Sequence, residues 1–300
     1  ENDAAFLEDE MLRIKIVGKN VELCEIITGV VVALIGKKLE DGTFDVEDWC
    51  YPGCVVENNI SPPPGSVAEG KILLISGLDL ANNENALCLN LLIETITGMA
   101  GTVGDQEDNS SIVNVIIAGN SIKSSNEMQD GHATSKSFLT AKAQQSAETT
   151  RVSEAIKKFD EFLLQIVASC SVTLMPGQHD PTNIMIPQMP IHQLLLARSH
   201  KNSNLRNASN PWIGIIGGRL VAGSSGQPIE DIMRVCGREN NGKSPLEWLE
   251  KTLEWRHYSP TAPDTLPSYP YNQKDCLIMQ ECPDIYFVGN TSKFETSLFE

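Results

Sequence analysis

Residues 172–183 read Val172-Thr173-Leu174-Met175-Pro176-Gly177-Gln178-His179-Asp180-Pro181-Thr182-Asn183. A short apolar run stops abruptly at Pro-Gly, and three polar side chains follow it. Continuous apolar runs of this kind suit strands buried on both faces, as in parallel sheets. The polar residues then fall just past the carboxyl end of the strand, where open α/β sheets bind ligands. Two earlier stretches share this layout: Lys71-Ile72-Leu73-Leu74-Ile75-Ser76-Gly77-Leu78-Asp79 and Val113-Asn114-Val115-Ile116-Ile117-Ala118-Gly119-Asn120. Turn chemistry explains any one of them, because Gly and Asn punctuate turns. Three in chain order on three strands point to a site assembled along one edge of a sheet.

Working outward, Val152, Ile156, Phe159, Leu163 and Ile166 recur at spacings of three and four, which predicts an amphipathic helix between the second and third strands. Ser244-Pro245-Leu246-Glu247 is a capping box with proline at the first helical position. The helix it opens carries Leu246, Leu249 and Leu253 on one face and must end before Pro260. Late strands are expected at 212–216, 219–222 and 285–288, and the polar segments 101–142 and 196–210 read as loops, at least in part. The first 60 residues are different. Leu12, Ile14 and Ile16 alternate with Arg13 and Lys15, as in a half-buried strand, and the runs 29–35 and 44–49 flank a turn at Glu40-Asp41-Gly42, as in a hairpin. Ser61-Pro62-Pro63-Pro64-Gly65 is the clearest linker, since its prolines remove backbone donors and stiffen the chain. The expected organisation is a small β-barrel or its remainder at 1–60, a linker at 61–70 and an α/β domain at 71–300.

Charge narrows the function. The chain carries 23 Lys and Arg against 39 Asp and Glu, a net charge of −16. Broad phosphate-backbone binding depends on Lys and Arg, so duplex DNA is a poor partner and basic proteins are better ones. No apolar run approaches the roughly 18 residues of a membrane helix. The eight cysteines, at 24, 50, 54, 88, 170, 236, 276 and 282, include no C-x-x-C pair. They are expected to be reduced thiols, with Cys170 closing an apolar helical stripe in the core.

The order of strand-end motifs resembles the calcineurin-like metallophosphoesterases, which read D-x-H, G-D, G-N-H-D and, near the end, G-H-x-H, and clamp two divalent cations around a phosphate. Mapped onto this chain, the first Asp falls on Gly77 and its His on Asp79. The metal-bridging Asp falls on Asn120. The Asn of the third motif falls on Gln178, while its His and Asp are kept as His179 and Asp180. The last motif falls on Gly289-Asn290-Thr291-Ser292, so Asn290 and Ser292 stand where histidines belong. His257, in Arg256-His257-Tyr258-Ser259-Pro260, is placed where a further ligand histidine is expected. The wording of these motifs, with Ser224-Ser225-Gly226-Gln227, Arg256 to Thr265 and Phe6-Leu7-Glu8-Asp9-Glu10-Met11, resembles the small (B) subunits of DNA polymerase delta over nearly the whole chain. That family joins an OB-fold to an inactivated phosphoesterase domain. The resemblance implies a phosphoesterase-like β-sandwich flanked by helices, preceded by part of a small OB-type β-barrel at 1–60. It implies a chain clipped at its N-terminus and continuing, in the family, beyond Phe294. It further implies a nuclear, non-catalytic subunit without cofactor or metal. Such a protein would bridge the metal-binding C-terminal region of the catalytic subunit and a third polymerase subunit, touching DNA only indirectly and no membrane.

Two other classes stay open on the residues: an active metal-dependent phosphodiesterase and an OB-fold nucleic-acid-binding module. The second would need basic and aromatic residues interleaved on one face, for which Lys37-Lys38 with Phe44, Trp49 and Tyr51 is a thin hint. Gly223-Ser224-Ser225-Gly226 lacks the Gly-Lys-Ser/Thr of a phosphate loop and reads as a tight turn. Trp248 and Trp255 read as core or interface. His132, His192 and His200 read as surface or loop residues.

Overall fold

A computed structural model describes residues 4–19, 21–54, 70–82, 86–123, 138–236, 242–271 and 273–299. The Pro-rich run at 61–65 and His132 lie outside the described residues. The chain forms two compact units, one of Glu1–Asn59, Gln227–Cys282 and Lys293–Glu300, the other of Ile60–Gly226 and Pro283–Ser292. Compactness therefore divides the chain differently from a single cut at 61–70.

In the first unit β1 (Phe6–Glu8), β2 (Arg13–Val17), β3 (Ala33–Lys38) and β4 (Phe44–Cys50) form a sheet of order β1-β2-β4-β3. β3 and β4 are the expected antiparallel hairpin. The Asp41 carboxylate accepts the Thr43 N–H at 2.9 Å across the turn, and Gly42 takes the left-handed φ of +87° that the turn needs. A bulge sits at Ile35/Gly36, where a Cβ on Gly36 would lie 2.0 Å from the Asp45 carbonyl oxygen. Alternation holds in β2: Ile16 is buried with Ala5 and Val46, while Arg13 and Lys15 are exposed.

The second unit contains β5 (Lys71–Ile75), β6 (Ile112–Ala118), β7 (Ser171–Met175) and β8 (Leu205–Asn207), paired in parallel in that order. The register sets Ile75 beside Ile117 and Ile117 beside Leu174, so three strands end at one level. Successive side chains of a strand point to opposite faces, and both faces of β6 are covered. Val115 and Ile117, with Val172 and Leu174, pack under α1 (Ala86–Ile96) and α3 (Phe138–Ile166). The α3 stripe arrives as Phe159, Leu163 and Ile166, all fully buried. On the other face Ile116, Ala118 and Met175 meet Val221 and Phe287 of a second sheet. That sheet has β10 (Arg219–Ser224) at its centre, β9 (Trp212–Ile216) antiparallel on one side and β11 (Ile285–Val288) parallel on the other. A mixed α/β protein with several sheets results.

Helices correct part of the loop expectation. Segment 101–142 contains α2 (Val103–Ser110), opened by a Thr102–Asp105 capping box, and the start of α3. Segment 196–210 contains β8. α4 (Gln227–Cys236) and α5 (Pro245–Trp255) belong to the first unit. The cap of α5 is the expected one: the Glu247 carboxylate accepts the Ser244 N–H at 2.6 Å, and the Glu247 N–H donates to Ser244 Oγ at 3.3 Å. The helix stops at Arg256, in the left-handed region at φ 53°, and buries Leu249 and Leu253 with Trp248 and Trp255. The thiol expectation is corrected at two positions, since Cys54 and Cys282 of this unit form a disulfide. Cys170 is a free, buried thiol, as expected.

Candidate functional site

The carboxyl ends of β5, β6 and β7 run into loops that hydrogen-bond to one another. Beyond β5, the N–H of Gly77 donates to the Gly119 carbonyl at 3.0 Å and that of Asp79 to the Asn120 carbonyl at 3.1 Å. Leu80 and Ala81 continue this ladder onto Ser121 and Ile122. Approach this close needs residues without a Cβ. One added to Gly119 would lie 2.5 Å from Gly177 Cα, and one added to Gly177 would lie 2.2 Å from the Asn120 amide nitrogen. Asp79, Asn120 and Asn290 adopt left-handed backbone angles of 48°, 52° and 58°, a region that Asn and Asp tolerate better than most residues.

The side chains of the loops are turned onto the backbone. Asn120 is buried, and its Oδ1 accepts the His179 N–H at 3.1 Å. Asp180, 5% exposed, accepts the N–H of Ile122 on one oxygen at 3.0 Å and that of Gly177 on the other at 2.9 Å. Burial pushes the Asp180 carboxyl above the usual carboxylate range, against the pull of the N–H groups of Ile122, Gly177, Ser121 and Asn120. Asn290 donates from Nδ2 to the carbonyls of Ala118 at 2.9 Å and Ser225 at 2.7 Å, and its N–H donates to Ser76 Oγ at 2.9 Å. Its Oδ1 lies 3.1 Å from where a Cβ on Gly77 would be. The Asp79 carboxylate accepts from Asn82 Nδ2 at 3.0 Å.

These bonds join Gly77, Asp79, Asn120, His179, Asp180 and Asn290 into one loop cluster. Gln178, beside His179, and Ser292 are exposed. His257 belongs to the other compact unit. There its Nδ1 accepts the Ser259 N–H at 3.1 Å, and its Nε2 is 3.1 Å from Asp275 Oδ2. Sequence reasoning missed the buried amides Gln188 and Asn210, whose side chains bond each other at 3.1 Å. Gln188 Nε2 also donates to the Gly177 carbonyl at 2.8 Å, and Asn210 Oδ1 accepts the Ser225 N–H at 3.0 Å. That N–H thus has its acceptor inside the protein. Nothing in the spacing of Gln188 and Asn210 announces the pairing.

The fold and this cluster define a mixed α/β protein whose strand-end loops form a polar, internally bonded junction. Residues 72–296 match the B-subunit family of DNA polymerases alpha and epsilon, and residues 1–49 match the DNA polymerase delta subunit OB-fold domain. The chain belongs to this family of polymerase B subunits. It is 38% identical to the DNA polymerase delta small subunit of Oryza sativa subsp. japonica, across 100% of this chain and 66% of that protein. It is 36% identical to the delta small subunit of Arabidopsis thaliana, across 100% of this chain and 64% of the relative. Against the DNA polymerase delta subunit 2 of Drosophila melanogaster it is 35% identical, across 99% and 65%. The chain thus spans just under two thirds of the length of these relatives. Among the described residues no helix is long and apolar enough to cross a membrane.

Proposed function

We propose that this chain is the major part of a non-catalytic accessory subunit of nuclear DNA polymerase delta, serving replication and repair synthesis. In this reading it bridges the C-terminal metal-binding region of the catalytic subunit and a third subunit, and meets DNA only through them. The observation that carries the reading is the similarity to delta small subunits over essentially the whole chain. Residues 1–60 are then the remainder of an OB-fold, 61–70 a linker, and 71–300 a phosphoesterase-like β-sandwich that has lost its chemistry.

The loop cluster supports the loss. A two-metal centre needs anionic oxygens between cations roughly 3.5–4 Å apart. Asn120 offers a neutral amide whose oxygen is engaged by the His179 N–H, and Gly77 offers no side chain. Both oxygens of Asp180 accept backbone N–H groups, and the side-chain nitrogen of Asn290 is used on two carbonyls. The residues present do not fit a metal pair. Acidic charge favours a protein-bridging role over an OB-fold module that grips nucleic acid. Co-expression with a delta catalytic subunit followed by size-exclusion chromatography tests the proposal. A stable complex burying more than about 1,000 Å² is expected. Separate elution of two well-folded, full-length partners at micromolar concentration would refute it.

A further inference from the structure

In the second unit a cavity of about 510 Å³ opens beside β8 and β9, lined by Arg206, Asn207 and Trp212 and floored by Asn114 and Thr173. Within a chain of net charge −16, no Asp or Glu lines it, and Arg206 forms no ion pair, among the described residues. Asn207 points to the opposite face of β8, where its Nδ2 donates to the Ile191 carbonyl at 3.0 Å, so Arg206 is the polar side chain that β8 presents to the cavity.

One wall of the cavity is β9, the outermost strand of its sheet among the described residues. Its sequence, Trp212-Ile213-Gly214-Ile215-Ile216, carries no charge. Ile213 is 49% and Ile215 71% exposed. Proteins normally blunt a free edge with lysine, proline or a bulge, and an apolar edge without them is a ready template for another strand. We propose that this edge and cavity receive an extended segment of a partner polypeptide that adds to β9 as a strand. Its apolar side chains cover Ile213 and Ile215, and a carboxylate pairs with Arg206. Backbone pairing at a sheet edge supplies the affinity, and side-chain pockets supply the choice of partner. The Arg206–carboxylate fork fixes the register. The inference rests on the reading of the chain as a partner-binding subunit and names the chemistry of one contact.

The test uses the full chain and two fluorescein-labelled nine-residue probes, one alternating valine with glutamate and one alternating valine with lysine. Anisotropy at 0.15 M salt screens the overall charge, since the Debye length there is about 8 Å. Net repulsion works against the glutamate probe, so its preference would report a local site. Saturable binding of the glutamate probe is expected, with Arg206→Glu and Ile215→Asp each weakening it at least tenfold at an unchanged melting temperature. Hydrogen exchange should show new protection confined to residues 212–216. Equal binding of both probes would overturn the proposal. So would indifference to Arg206→Glu, protection in the free chain of the β9 amides that face away from β10, or displacement by millimolar inorganic phosphate, which would mark a small-anion site. Co-elution with the catalytic subunit is scored separately. A chain that assembles but ignores the probe refutes this inference alone, and one that does neither refutes the accessory-subunit reading as well.

Discussion

Replacing Asp180 by alanine separates a structural carboxylate from a retained metal ligand. The substitution strips acceptors from the N–H groups of Ile122 and Gly177. A buried donor left without a partner costs about 1–3 kcal/mol, so the two together cost roughly 2–6. Part is returned because the cost of burying a carboxyl group is removed with it. A net loss of about 2–4 kcal/mol is expected, a fall on the order of 5–10 °C in melting temperature for a domain of this size. Asp180→Asn keeps one acceptor oxygen and should lose about half as much. The pH dependence has a definite sign. Burial raises the folded-state pKa of Asp180 above its unfolded value, so its proton-linked contribution is fully present below the unfolded pKa and is lost as pH rises through the folded pKa. The gap between the wild type and Asp180→Ala should therefore narrow as pH rises across that window. Urea unfolding between pH 4 and 8 measures both effects. A neutral or stabilising Asp180→Ala at pH 7, or a wild type stabilised by added manganese only while Asp180 is present, would refute the structural role.

Manganese titration of the wild type should give no melting-temperature rise near the 2.7 kcal/mol expected when metal is 100-fold above a site's dissociation constant, and no turnover of a nitrophenyl phosphodiester. Asp160 carries the opposite sign from Asp180. Burial is the largest influence and opposes ionisation, yet the Ser199 hydroxyl with the N–H groups of Ser199 and Arg198 holds its carboxyl below the usual range. Its contribution is present above the unfolded carboxylate pKa and lost as pH falls through the lowered folded value, so Asp160→Asn should flatten the acid limb of an unfolding curve below about pH 4. Reducing the Cys54–Cys282 bond, whose ends are 228 residues apart, should destabilise the chain by roughly 2–5 kcal/mol, and peptide mapping without reductant should recover the linked pair. Duplex DNA binding at physiological salt should be no tighter than about 10⁻⁴ M by anisotropy, and a sub-micromolar, steeply salt-dependent constant would revive the nucleic-acid module.

What could be read from the residues was whatever local pattern determines. The runs at 71–76, 113–118 and 172–175 gave the parallel strands, the stripe from Val152 to Ile166 gave α3, and Ser244 to Glu247 gave the start of α5. α1 escaped because Ala86 to Ile96 is apolar nearly all round and shows no dominant stripe, and β8 because three residues carry no period. In the candidate site the residues were legible and their partners were not. His179 and Asp180 stood out as kept letters of a motif, but the acceptance of backbone N–H groups by Asp180 depends on how closely Gly119 and Gly177 let two loops approach. Likewise no spacing rule links Cys54 to Cys282, or assigns His257 to the compact unit that holds the N-terminal strands.

The first compact unit draws its residues from both sides of the second: Glu1–Asn59 is made early, and Gln227–Cys282 only after the intervening chain. At roughly 5–20 residues per second on the ribosome, the early strands are exposed for something like ten to thirty seconds before α4 and α5 exist to join them. Closing so long an intervening loop is entropically slow but not prohibitive, because each doubling of loop length adds only about 0.6 kcal/mol. Birth order and assembly order thus run against each other, and a chain halted between residues 51 and 226 would carry the nascent β-sheet without α4 or α5. For that interval the early strands have only the small core of Ala5, Ile16 and Val46 to hold them together.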